Sequence, residues 1–156
     1  MDTTLVEPVF FAFENDFVDT LRCIPMIVRY KLDIADKKLQ LAEWSRLTSD
    51  EKQTLAELPS ESPAEIEAYR NYLNARVWER SEKVVKDLGG VNASWENLGK
   101  VPLEVIEKAH EWQCTPPTLA QWMGLGLLQR FALVKLSRSG HEGENFPKAL
   151  VEFGIR

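Results

Sequence analysis

Cysteine and histidine are scarce in this chain: Cys23, Cys114, His110 and His141 are all that 156 residues hold. Two distant cysteines exclude a disulfide scaffold, and no paired spacing announces a zinc site. Reduced thiols in the cytoplasm are the simplest expectation. Glycine and proline number eight each, too few for a fibrous or low-complexity protein. Lysine and arginine are absent from residues 1–20, which carry five acids, so the start lacks the basic region of a signal peptide. A long uninterrupted apolar run is missing too. The most apolar stretch, Leu119–Leu136, is broken by Gln121, Gln129, Arg130 and Lys135 and does not read as a membrane span.

What is present is an ordinary globular composition, 44% hydrophobic and 28% charged, which excludes a mostly disordered chain. The net charge of −5 argues against generic nucleic-acid or anionic-membrane binding, since both need a positive field. The charge is uneven: residues 21–40 hold five bases against two acids and residues 129–156 five against three, around an acidic middle.

Helix signals dominate. Residues 1–12 read as an irregular or extended lead-in. Asn15 or Asp16 caps a short helix carrying Phe17, Val18 and Leu21, which Ile24-Pro25 breaks. A second helix follows over Pro25–Leu32, with Met26, Ile27 and Tyr30 facing inward. A polar turn, a short extended piece at Leu39–Leu41 and a helix over Ala42–Leu47 come next. Thr48 with Glu51 has capping-box spacing and opens a helix to about Leu58. Ser62, Pro63 and Glu65 open the most clearly marked helix, to about Arg80, with Ile66, Tyr69, Leu73 and Val77 at spacings of three and four. Residues 87–100 read as a loop. Pro102 starts a helix to about Trp112, and Thr115-Pro116-Pro117 a long one ending near Arg138, with Gly140 as its left-handed cap. A last helix runs over Phe146–Phe153. Within the long helix, Gly124 and Gly126 imply close packing against a neighbour, because glycine otherwise costs helix stability. The fold expected is all-α: one compact domain over residues 1–156, with six to eight helices around a central apolar one. A boundary would fall in the loop at 87–100, but neither side holds enough periodic apolar residues to be an obvious domain alone.

Chemistry-bearing patterns are weak. Gly124-Leu125-Gly126 lacks the third glycine and the strand of a dinucleotide loop. His110 and Cys114, four apart, make half a metal site at most; a buried cysteine and a surface histidine are the plainer reading. His141-Glu142 near Arg138 has no nucleophile beside it, so loop capping outweighs catalysis. The segment from Met26 to Leu58 loosely resembles a helix-turn-helix with Arg29, Lys31, Lys37 and Lys38 near phosphates. The acids Asp50, Glu51 and Glu57 spoil its second helix for DNA. Five tryptophans are many; most belong to a core, and Trp78 or Trp95, with polar neighbours, is the one to anchor a partner. No catalytic, cofactor or metal residue is assigned.

Two strings stand together: Leu21-Arg22-Cys23-Ile24-Pro25-Met26-Ile27-Val28-Arg29-Tyr30-Lys31-Leu32-Asp33, followed by Lys38-Leu39, Leu41 and Trp44; and Gln129-Arg130-Phe131-Ala132-Leu133-Val134-Lys135-Leu136-Ser137-Arg138, followed by His141-Glu142, Asn145-Phe146 and Glu152-Phe153-Gly154. In this order they resemble the nitrate reductase associated protein family, of cyanobacterial type, from about Phe13 to Gly154. The segment Leu55–Pro59, then Glu65, Tyr69-Arg70 and Leu73, also fits; the loop Glu82–Lys100 does not. The resemblance implies a non-catalytic, cytoplasmic accessory protein of assimilatory nitrate reductase that aids maturation or stability of the molybdenum enzyme. It carries over no catalytic residues and no cofactor. Arg29, Lys31, Arg130, Arg138 and His141 are the candidate partner contacts, against the plainer reading that they cap and cross-link helices. The alternative function is a regulatory binding module of nitrogen metabolism acting through DNA or a signalling protein.

Overall fold

The computed structural model describes residues 9–15, 21–139 and 144–155. Among them are eight α-helices, two short 3-10 turns and one two-stranded ribbon, so the chain is all-α in class. They fall into two compact units, Met1–Val91 and Asn92–Arg156. No helix among the described residues is long and apolar enough to cross a membrane.

In the first unit, a 3-10 turn at Ala12–Glu14 precedes α1 (Met26–Ile34), β1 (Lys37–Lys38), α2 (Leu41–Ser45), α3 (Ser49–Glu57), α4 (Pro63–Ser81) and β2 (Lys86–Asp87). The two marked capping boxes form. Thr48 Oγ1 accepts from Glu51 N–H while Glu51 Oε1 accepts from Thr48 N–H, and Ser62 and Glu65 do the same at α4. α4 turns inward Tyr69, Leu73 and Val77, all fully buried, against Leu55, Trp44 and the α1 residues Val28 and Leu32. On α1 the expected Ile27 and Tyr30 are only half-buried; Val28, Leu32 and Lys31 take the inner side. The N-terminus of α1 has no side-chain acceptor at Pro25. Glu14, from outside the helix and itself buried, supplies one: its Oε2 accepts from Met26 N–H at 2.9 Å and its Oε1 from Phe11 N–H at 3.1 Å. Extended structure lies at Lys37–Lys38, antiparallel to Lys86–Asp87, rather than at Leu39–Leu41. The helix expected from Asn15 or Asp16 lies largely outside the described residues.

In the second unit, a 3-10 turn at Ser94–Glu96 precedes α5 (Leu103–Glu111), α6 (Leu119–Gly124), α7 (Leu127–Arg138) and α8 (Asn145–Glu152). α7 packs on α5, on α8 and on the turn, and Phe131 to Val134 are fully buried. The expected single helix from Thr115 to Arg138 is two. Leu125 is extended, Gln129 Oε1 reaches back to accept from Gly126 N–H at 2.8 Å, and Gly126 becomes the N-cap of α7. Nor do the glycines mark close packing: a Cβ on Gly124 would meet nothing within 4 Å, and one on Gly126 only Gln129 Oε1 at 3.6 Å. The expected cap Gly140 lies outside the described residues.

Candidate functional site

The residues singled out for partner contact mostly serve the chain's own carbonyls. Arg29 Nε donates to Ile24 O at 3.0 Å. Lys31 is buried, and its ammonium donates to Ala56 O and Leu58 O, at 2.7 and 2.5 Å, at the C-terminal end of α3. Such a cation satisfies carbonyls that a helix end leaves open. Desolvation pushes the Lys31 ammonium down to about 8, against the opposing pull of Glu57. Arg130 is also buried; its Nε donates to Trp95 O at 2.8 Å and its Nη1 to Leu125 O. Arg138 is the exposed member of the four described. His141 lies outside the described residues.

Arg130 and Arg138 act on the same piece of chain. Residues 92–97 carry no long element of their own, yet three of their carbonyls are taken by side chains far along the sequence. Arg138 Nη2 holds Asn92 O, Arg130 Nε holds Trp95 O and Trp122 Nε1 holds Asn97 O, all at 2.8–2.9 Å. Arg138 also forks onto Glu104, with Nε on Oε2 at 2.9 Å and Nη2 on Oε1 at 3.0 Å, and Ser94 Oγ donates to that Oε1 at 2.7 Å. The Arg138 guanidinium stands 5.9 Å from the Trp95 ring centroid, and Trp95 meets Phe131 edge-on at 4.9 Å. Trp122 was visible in sequence only as one of five tryptophans. Its place here had no signal beyond the polar composition of the loop it holds.

This pinned segment forms one wall of an open cleft of about 590 Å³, lined by Asn92, Ala93, Ser94, Asn97, Lys100 and the start of α5 from Pro102 to Glu104. The Lys100 side chain and Leu103, 66% exposed, stand free at it. Desolvation would raise the Glu104 carboxyl, but hydrogen bonds from Arg138 and Ser94 and the Arg138 charge outweigh it and hold the carboxyl below its ordinary range. An ionised carboxylate bonded on both oxygens is poorly suited to act as a general acid.

The remaining candidates are scattered. His110 is exposed, Cys114 is buried with its Sγ on Trp112 O, and Cys23 is half-buried. No group of three metal-ligating side chains occurs among the described residues. Trp95 is buried and belongs to the core, whereas Trp78 on α4 is 56% exposed. Residues 10–153 match the family described as conserved nitrate reductase-associated protein. No curated protein and no solved structure matches the chain.

Proposed function

The chain belongs to the conserved nitrate reductase-associated protein family, and from that membership we propose that it is a non-catalytic cytoplasmic accessory protein. It binds nitrate reductase and keeps the apo-enzyme stable or open while the molybdenum cofactor is inserted. The observation that carries this reading is the family match, which spans both compact units. The cleft at Asn92–Glu104 is the contact region this reading favours. It is open, mixed in polarity, and braced from behind by α7 through Arg130 and Arg138, so it presents a formed surface that costs little ordering on binding. Of the basic candidates, Lys31 and Arg130 act as internal cross-links, and Arg138 supports the reading by bracing the cleft wall through Asn92 O and Glu104.

The test is capture. The tagged full chain is mixed with apo- and holo-nitrate reductase from the same cells. Preferential retention of the apo-enzyme is expected, and Leu103→Glu weakens it at unchanged thermal stability, because Leu103 is 66% exposed. A folded protein that retains neither form overturns the proposal.

A further inference from the structure

The β1–β2 ribbon carries a charge arrangement that its own unit does not neutralise. Its register sets Lys37 opposite Asp87 and Lys38 opposite Lys86. The first pair is compensated, with Lys37 Nζ on Asp87 Oδ1 at 2.6 Å. The second places two like charges directly across from each other on one face, about 5 Å apart at Cβ, an arrangement that destabilises a ribbon. Lys38 and Lys86 are exposed, and neither ammonium has a partner among the described residues. Lys86 also lines an open cleft of about 340 Å³ with Lys83, Val84, Gln40 and Glu43. Lys83 is exposed and unpaired like the other two. Glu43, the one acid of that lining, is buried, and its carboxylate takes Gln40 N–H at the start of α2. Glu82 lies beside Lys83 in sequence and is exposed, leaving the group net positive. Val84 stands 77% exposed in the cleft with Lys83 and Lys86.

Two unpaired lysines share a cleft with an exposed aliphatic side chain, and a third stands across the ribbon from one of them, a set that fits an anionic ligand with an apolar side chain. We propose that the ribbon and its cleft are a docking surface for an acidic peptide segment of another protein. Carboxylates of the segment meet Lys38, Lys83 and Lys86, and one aliphatic residue covers Val84. A nucleic-acid backbone matches the lysines but leaves Val84 uncovered, and the chain's net charge of −5 opposes it at long range. The inference is independent of the accessory role and concerns a different unit. An anion seated between Lys38 and Lys86 relieves their repulsion, so binding of an acidic segment stabilises the ribbon.

The test uses the full chain and a short fluorescein-labelled peptide rich in glutamate with two leucines, followed by fluorescence anisotropy. A lysine-rich peptide of equal length and a single-stranded oligonucleotide serve as comparators. Binding of the acidic peptide is expected, weakening with added salt. It should fall at least ~10-fold in the Lys83→Glu, Lys86→Glu double variant and several-fold in Val84→Asp. Lys86→Glu alone should raise Tm by about 2 °C, because it turns the repulsive cross-strand pair into an attractive one. Absence of binding, or binding unchanged in the double variant, overturns the proposal. So does tighter capture of the oligonucleotide that the same variant abolishes. Self-association of the chain that the double variant dissolves assigns the face to a second copy and overturns it as well.

Discussion

A buried lysine gives this protein a contribution to stability that rises with pH above neutrality. Lys31 is 6% exposed, and desolvation lowers its ammonium from 10.5 to about 8. Above pH 8 the folded chain releases a proton that the unfolded chain keeps until about 10.5. The unfolded state then binds more protons, so stability increases with pH through this window and levels off above it. At 1.36 kcal/mol per pKa unit, and allowing for solvent screening, the gain between pH 7 and pH 10 is on the order of 2 kcal/mol. The neutral amine keeps two N–H donors, enough for both Ala56 O and Leu58 O, so the C-terminal end of α3 stays satisfied. The reference is Lys31→Met, which is unbranched and one atom shorter and has no proton to lose. It leaves two carbonyls short, a cost of about 1–3 kcal/mol that does not change with pH. Tyr69 works against the lysine at the alkaline end. Its buried hydroxyl is pushed up, so above about pH 10 the unfolded tyrosine ionises first and stability falls. Both proteins carry Tyr69, so its effect cancels in the difference. Urea denaturation of the two proteins at pH 7, 8, 9 and 10 reads the difference directly. Parallel profiles across that range would refute the assignment of Lys31 as a cation held in the interior at neutral pH.

Three further outcomes follow from the contacts. Glu14→Ala strips the acceptor from two buried N–H groups and should cost about 2–4 kcal/mol, whereas Glu14→Gln, which keeps an acceptor, should cost about half as much by denaturant unfolding. Gly124→Ala should stabilise by about 0.5 kcal/mol, because the position is open and its backbone ordinary; a loss instead would mean that the glycine is needed for close approach. A double-mutant cycle of Arg138→Met with Glu104→Gln should give a coupling near 0.5–1 kcal/mol, the modest value expected when both side chains are 30% exposed, and zero coupling would remove the fork as a brace of the cleft.

Where capping chemistry is local, the sequence was sufficient. Thr48 with Glu51 and Ser62 with Glu65 satisfy each other within four residues, and both helices start where that spacing says. The Leu119–Leu136 run misled because apolar periodicity passes through Leu125 without a fault. The information lay in Gln129, three residues after Gly126, and Gln121, three after Thr118, each closing a cap on its own helix. Glu14 and Lys31 were illegible for another reason. Each satisfies backbone groups elsewhere, Met26 N–H twelve residues on and Ala56 O twenty-five residues on, and no pattern along α1 reports such a partner. The ribbon has two residues per strand, too short for alternation to register. At the cleft, Arg130 and Arg138 stood out in sequence either as partner contacts or, on the plainer reading, as internal cross-links, but nothing local showed what they bind. Their targets are carbonyls at residues 92–97, in the loop the family resemblance left unmatched.

Those carbonyls also set an order of events. The bonds that shape residues 92–97 run from Trp122, Arg130 and Arg138, across 25, 35 and 46 positions of chain. Closing such spans costs entropy before any contact is gained. The cleft wall is therefore a product of the late stages of folding, formed once α7 has collapsed onto α5, and substitutions at Arg138 should quicken unfolding while leaving the refolding rate nearly untouched. A chain still emerging during synthesis presents no such surface until residues 122–138 have been made.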